Sequence, residues 1–351
     1  MIMKINKSYF YIYSTFFNFI KFGNFSGLDI LQVGLLSTYK KIRLEKMDVF
    51  YFAFILVGIF SSIINSEYLG VLYTFRLVPV YLIFILVRKK ISEATLIYTG
   101  LVLCCFQIFL YPLLVYDWMA GVIAGLICIK FTQRRNYLPA ILSAYIVFIS
   151  DQRTLIVALA IGFLAFSFTS NKRTRIGVLI SILIATPTFY YNASSHRVVK
   201  TFDAVVSINL ADTIKIGMEA AKTKSYEEFV YGDRGLIGDN KSGDLSLHLR
   251  LRKWLHAAST MGENKLKILS GLGPSYFGKA ADSTIVRIFY EVGIIGLLVF
   301  VIWYLKLIGG IKNIFSPISM YFLMSNMFLD VFYSPLLLSF FLPILYTWRK
   351  K

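Results

Sequence analysis

An Asp, a Ser, an Arg and a Glu gather where the chain re-enters an apolar run. Residues 271–296 read GLGPSYFGKAADSTIVRIFYEVGIIG and place Asp282, Ser283, Arg287 and Glu291 at that corner. In a helix Ser283, Arg287 and Glu291 are four apart and share one face. A fixed cation beside two carboxylates can hold a departing anion and take a proton. The plainer account of the same spacing is an Arg287–Glu291 ion pair at a helix end. Two more arginines sit in unusual company. Arg153 lies in SDQRTLIVALAIG (150–162), and Arg76 lies near the middle of LGVLYTFRLVPVYLIFILV (69–87). Arginine suits phosphate because its planar fork makes two parallel charge-assisted hydrogen bonds and never loses its proton. Arg153 is otherwise a helix cap or a partner for Asp151, and Arg76 a partner for Asp29, Asp117 or Asp330. At a bilayer centre an ionisable residue costs about 2.5–3.5 kcal/mol or more, so Arg76 faces a bundle interior on either account.

The segment LSLHLRLRKWLHAASTM (245–261) supplies further cations. Leu247, Leu251, Leu255 and Ala258 recur as one face of an amphipathic helix. His248, Arg252 and His256 line up beside that stripe, with Arg250 and Lys253 further round. The alternation of leucines from Leu245 to Leu251 equally permits a strand. No carboxylate or Cys stands at ligand spacing from the two histidines, so no metal is expected. The chain has neither a GxxxxGK[ST] phosphate loop nor a GxSxG elbow. Cys104, Cys105 and Cys128 lie inside apolar runs, where Cys packs as a small hydrophobe. No cofactor is expected. The stretch 226–244 carries Gly, Asp and Asn at turn-like density and reads as irregular.

Positioning these groups falls to apolar helices. Of the 351 residues 57% are hydrophobic, 17% aromatic and only 16% charged, a composition outside the soluble class. Crossing the hydrocarbon layer takes roughly 17–25 helical residues. Runs near that length fall at about 8–21, 25–38, 48–66, 69–87, 92–111, 118–131, 137–150, 154–169, 176–190, 283–305, 315–329 and 332–347. One tilted helix could replace the first two, which gives an all-α integral membrane protein of about 11–12 transmembrane helices. The first run resembles a signal peptide but lacks a small-residue cleavage site, so it reads as a retained segment. Lys and Arg clusters at 4–7, 40–46, 88–90, 130–135, 171–175, 306–312 and 349–351 fall at alternate turns, which sets both termini in the cytoplasm. Most of the net charge of +18 is therefore an orientation signal, and nucleic acid is not an expected partner. Residues 1–191 form an N-terminal helical part, 192–282 one large loop on the far side, and 283–351 a C-terminal helical part.

Three features resemble the superfamily of O-antigen polymerases and O-antigen ligases, and Wzy-type polymerases above all. Arg153 opens a span in DQRTLIVALAIG. Arg250 and Trp254 precede the turn GLGP. Asp282-Ser283 then leads into EVGIIGLLVF. Ligases of the superfamily usually carry His-Asn where this chain has Asp282-Ser283, a departure that favours the polymerase.

The resemblance implies a GT-C-like bundle with one large periplasmic loop in the bacterial inner membrane. It also implies a metal-independent, inverting transferase that joins undecaprenyl-diphosphate-linked oligosaccharide repeat units into O-antigen or capsular polysaccharide. A lipid bilayer, a chain-length regulator and a flippase are the expected companions. Fixed positive charge would stabilise the departing diphosphate, a part assigned to Arg153 with Arg76, Arg250, Arg252, His248 and Arg287 as substrate-binding helpers. Asp282, Glu291, His248 and His256 are the candidate bases, with Asp282 favoured because it occupies the polar-pair position. A ligase that transfers the glycan to a lipid A core or a protein, and a polysaccharide exporter, are the alternatives.

Overall fold

The structure, a computed structural model, describes residues 11, 13–19, 21–22, 25–37, 42–109, 117–150, 152–169, 210–232, 245–278 and 281–349. Regular structure among them is helical except for one antiparallel pair of two-residue strands, β1 (Lys21–Phe22) and β2 (Phe25–Ser26). The expected run at 176–190 and residues 233–244 lie outside the described residues.

The two N-terminal runs depart from plain spans. The first ends in a 3-10 turn, Thr15–Phe19, that leads into β1, and the second is the short helix α1 (Gly27–Ser37). Two local signals break the apolar run here. Gly-Asn between the strands is a hairpin signature. Ser26 then caps α1: its backbone N–H and its hydroxyl donate to Asp29 Oδ2 at 2.7 and 2.8 Å, a capping box.

The remaining runs form helices close to their expected bounds. They are α2 (Lys46–Ile64), α3 (Tyr68–Phe75), α4 (Leu77–Val87), α5 (Glu93–Phe109), α6 (Asp117–Gln133), α7 (Tyr137–Ile149) and α8 (Arg153–Thr169). In the polar stretch come α9 (Leu210–Thr223), α10 (Leu245–Gly262) and α11 (Lys265–Ser270), followed by α12 (Thr284–Ile308), α13 (Pro317–Phe328) and α14 (Pro335–Trp348). Among the described residues three stretches are long and apolar enough to cross a membrane: Lys46–Ile64, Tyr68–Val87 and Thr284–Ile308. Half or less of each is buried within the protein. Phe60, Ile63, Ile64, Tyr68 and Leu69 stand exposed around two of the ends, a surface that water does not favour and lipid does. These features mark a membrane protein.

Packing divides the chain into two units that cut across its order. The first holds Met1–Ile55, Thr74–Leu179 and Val299–Lys351; the second holds Leu56–Tyr73 and Ile180–Leu298. Helix α6 forms the centre of the first unit, buried along its whole face from Ala120 to Phe131 and packed on α5, α7, α8, α13 and α14. An apolar helix without a polar side needs such all-round cover. Beside it, Tyr51 and Tyr81 stack with ring centroids 3.6 Å apart, and Trp303 Nε1 donates to the Tyr81 hydroxyl at 3.1 Å.

Not all clustered cations are surface signals. Arg88 is 3% exposed and pairs with Asp48, itself fully buried, at 2.8 Å and with Glu45 at 3.2 Å. Lys130, also buried, pairs with Glu93 at 2.8 Å and lies 5.3 Å from the centre of the Trp348 ring. Charge clusters read for sidedness thus contain the acids and bases that tie helix ends together.

In the second unit α9 and a π turn, Glu228–Gly232, pack on α10. The helical reading of 245–261 holds. Leu255 joins Ala221, Phe229 and Val230 on one side, and Ala257 and Met261 join Leu272, Phe277 and Ala281 on another. A strand would turn alternate residues to one face and could not serve both clusters in this register. Residues 226–232, expected to be irregular, are helical because burial of Phe229 and Val230 outweighs the turn signals around them.

Candidate functional site

The corner at Asp282 is built on a broken helix. Inside α12, Gly293 has φ 77° and ψ −177°, a backbone region open essentially to glycine alone. The break frees the carbonyls of Tyr290 and Glu291, and the GLG turn satisfies them. Leu272 N–H donates to Tyr290 O at 2.7 Å and Gly273 N–H to Glu291 O at 2.9 Å. The Ser61 hydroxyl donates to the same Glu291 carbonyl at 2.7 Å. Gly271 and Gly293 must both lack a Cβ, since one at Gly271 would lie 2.3 Å from Glu291 O and one at Gly293 2.2 Å from Leu269 O. GLG and EVGIIG are therefore two halves of one joint.

Arg287 and Glu291 complete it. Arg287 Nε donates to Glu291 Oε2 at 2.9 Å and Nη2 to Gly278 O at 3.0 Å, while Glu291 Oε1 accepts from Phe277 N–H at 3.2 Å. The two side chains are 3% and 0% exposed, so their charges are spent on holding the 277–278 backbone. The Ser275 hydroxyl donates to Glu67 Oε2 at 2.9 Å and fixes the other end of the turn.

The turn so held forms one wall of a cavity of about 420 Å³, lined by Tyr226, Glu227, Tyr231, Lys253, Ser275, Tyr276, Phe277 and Gly278. This lies within the usual ligand range of about 300–1,000 Å³. Lys253 reaches it from α10 and donates from Nζ to Asp282 Oδ2 at 3.0 Å. Asp282 adopts φ 61°, a left-handed conformation that Asp tolerates better than most residues. Trp254 Nε1 donates to the adjacent Ala281 carbonyl at 3.2 Å, which anchors the approach to Asp282.

Behind Tyr276 stands His256. Its Nε2 lies 3.2 Å from the Lys224 carbonyl, an acceptor only, so Nε2 carries the ring proton. Nδ1 is then a bare acceptor, and the Tyr276 hydroxyl donates to it at 2.5 Å. Thr260 Oγ1 lies 3.2 Å from the same hydroxyl. Burial lowers the His256 pKa from its ordinary 6.5. Burial also pushes the Tyr276 phenol up to about 12, although the Thr260 hydrogen bond opposes it. At neutral pH the phenol therefore keeps its proton and the imidazole has room for one. Tyr226 borders this pair, 5.4 Å from both rings, and its buried hydroxyl has no hydrogen-bond partner among the described residues.

The expected site residues are thus distributed. Asp282, Glu291, Arg287, Arg252, Arg250 and His256 belong to the second unit, Arg76 and Arg153 to the first. Arg76 Nη2 pairs with Asp29 Oδ2 at 2.9 Å, the first of its three candidate partners. Arg153 is the first residue of α8. Arg252 is 2% exposed and donates to Val230 O at 3.5 Å, so it serves the packing of α10 on the π turn. The Arg250 Nε is buried without a hydrogen-bond partner among the described residues. His248 lies on α10, and its side chain is outside the described residues. Among the described residues no cluster of metal-ligating side chains occurs.

Sequence reasoning missed Tyr226, Tyr231 and Tyr276. Each stands beside Gly, Ser or an acid in stretches that read as turns, and only the fold turns their rings to one cavity. Across known proteins, no protein-family model matches this chain and no curated sequence is significantly similar to it.

Proposed function

We propose that this protein is a membrane-embedded, metal-independent glycosyltransferase that joins lipid-diphosphate-linked oligosaccharides, as O-antigen polymerases do. Its place is the bacterial inner membrane, with both termini cytoplasmic and residues 192–282 on the periplasmic side. The observation that carries this reading is the cavity on the second unit, where three tyrosines, Lys253 and Glu227 meet beside Asp282. Sugars present apolar C–H faces and a rim of hydroxyls, and rings bearing polar handles suit both. Asp282 stands at the polar-pair position of the resemblance, so motif and cavity converge on one corner.

The reaction transfers the growing glycan from its lipid diphosphate to a hydroxyl of the next lipid-linked unit, with inversion at the anomeric carbon. It requires positive charge at the departing diphosphate and a base at the attacking hydroxyl. The resemblance, in which an arginine opens a mid-chain span, makes Arg153 at the start of α8 the proposed source of that charge. Glu291, whose two carboxylate oxygens are held by Arg287 and Phe277, serves the scaffold in place of the base role.

Purified full-length protein in lipid vesicles, given a defined undecaprenyl-diphosphate-linked repeat unit, should yield a ladder of polymers without added metal. Gene disruption should leave a single repeat unit on the cell's glycan. Complete loss of attached glycan would identify a ligase instead, and movement of the lipid-linked unit across the vesicle without bond formation an exporter.

A further inference from the structure

We infer that Tyr276 takes the proton of the attacking sugar hydroxyl and passes its own to His256, so that this pair is the catalytic base. The inference rests on the glycosyl-transfer reading of the cavity. Three observations carry it. Tyr276 is one of the residues that line the cavity. Its hydroxyl donates to His256 Nδ1, so the phenol proton already points at the nitrogen that would receive it. The opposite ring nitrogen is locked on the Lys224 carbonyl, which fixes the tautomer with Nδ1 free to accept.

The step balances without a further reagent. The sugar hydroxyl oxygen attacks the anomeric carbon of the donor and loses its proton to Tyr276 Oη. The Tyr276 proton moves to His256 Nδ1, which becomes imidazolium. The bond from the anomeric carbon to the diphosphate oxygen breaks, and its electron pair leaves with the lipid diphosphate. Lys253 extends a cation toward the same cavity from its pair with Asp282, and Asp282 thereby orients Lys253. Tyr226 borders the two rings and lines the same cavity. His256, which acts through Tyr276, is a positioning residue, and Tyr276 is the catalytic one.

The titratable and charged groups facing the imidazole are Tyr226 from the 226–232 segment, Tyr276 from the turn and Glu263 beyond the end of its own helix. The phenols keep their protons through neutral pH, and the Glu263 charge raises the imidazole pKa less than burial lowers it. Wild-type turnover therefore falls on the acid side as His256 becomes protonated in advance.

The test uses the full chain in vesicles with the lipid-linked repeat unit. Tyr276→Phe should lower kcat by about 10²–10⁴-fold, the usual share of a positioned base, with KM within about twofold. His256→Asn keeps an acceptor near the Nδ1 position yet takes no proton, so kcat should fall and the acid limb of the pH profile disappear. Should Tyr276→Phe unfold the protein, 2,3-difluorotyrosine at position 276 keeps the ring and the hydroxyl while acidifying the phenol, and the pH profile should shift. Wild-type kcat in Tyr276→Phe, an unchanged acid limb in His256→Asn, or an unmoved profile with the fluorinated ring would each overturn the relay. Loss of turnover in Asp282→Asn with none in Tyr276→Phe would make Asp282 the base. No bond formation by the wild-type protein would remove the transferase reading itself.

Discussion

Gly293 and Gly271 close on each other's backbone, each leaving no room for a methyl group. The broken helix α12 and the turn that carries Tyr276 are consequently one rigid joint. Gly293→Ala adds a Cβ 2.2 Å from Leu269 O in a conformation that already costs a non-glycine residue about 1–3 kcal/mol. The variant should unfold at least about 3 kcal/mol more easily, read by thermal melting in detergent, and lose the cavity with it. A wild-type melting curve would mean that the helix is not broken there.

Arg287→Ala leaves the Glu291 carboxylate buried with its ion pair gone. Breaking one side of such a pair typically costs about 3–5 kcal/mol. The double variant Arg287→Met with Glu291→Leu should recover part of that loss, since no charge then remains buried. Full recovery of activity in the double variant would confine both residues to the scaffold; no recovery of stability would contradict the pairing.

Arg88 and Asp48 make the same prediction for the first unit, without any bearing on turnover per folded molecule. Asp48→Ala strands Arg88 at 3% exposure, with Glu45 as its remaining acidic partner at 3.2 Å. A fall in melting temperature with unchanged specific activity is the expected result.

Arg76 should act with Asp29 and not with substrate. Each alone, changed to Gln or Asn respectively, should destabilise the protein, and the double-mutant coupling should fall in the range of about 0.5–3 kcal/mol. Additive effects would free Arg76 for another role. Arg153→Ala, by contrast, should abolish long-chain glycan while leaving the protein in the membrane, and wild-type chain lengths would remove Arg153 from the reaction.

His256 also ties stability to pH. Its folded pKa is lowered below the ordinary 6.5, so the unfolded chain binds the proton more readily. The stabilising contribution is fully present above about 6.5 and is lost progressively as pH falls through that value toward the folded pKa. Melting temperature in wild type should thus decline below about pH 6.5 more steeply than in His256→Asn.

Much of the fold is written in hydropathy. Runs such as 137–150 and 154–169 became α7 and α8 almost residue for residue, because a backbone in an apolar setting satisfies its own hydrogen bonds best as a helix. Spacing alone also set the Arg287–Glu291 pair, since residues four apart on a helix are neighbours whatever surrounds them. What no run of residues could show is which carbonyls a break at Gly293 would free, or that residues 272 and 273 would come to fill them. Nor could it bring Tyr226, Lys253 and Tyr276 to one cavity, or set Tyr276 against His256, twenty residues away. Those contacts join segments distant in sequence, and their geometry comes from the packing of α9, α10 and the turn against one another. Local pattern reports what each segment prefers by itself; only tertiary packing fixes which side chains are left to face each other.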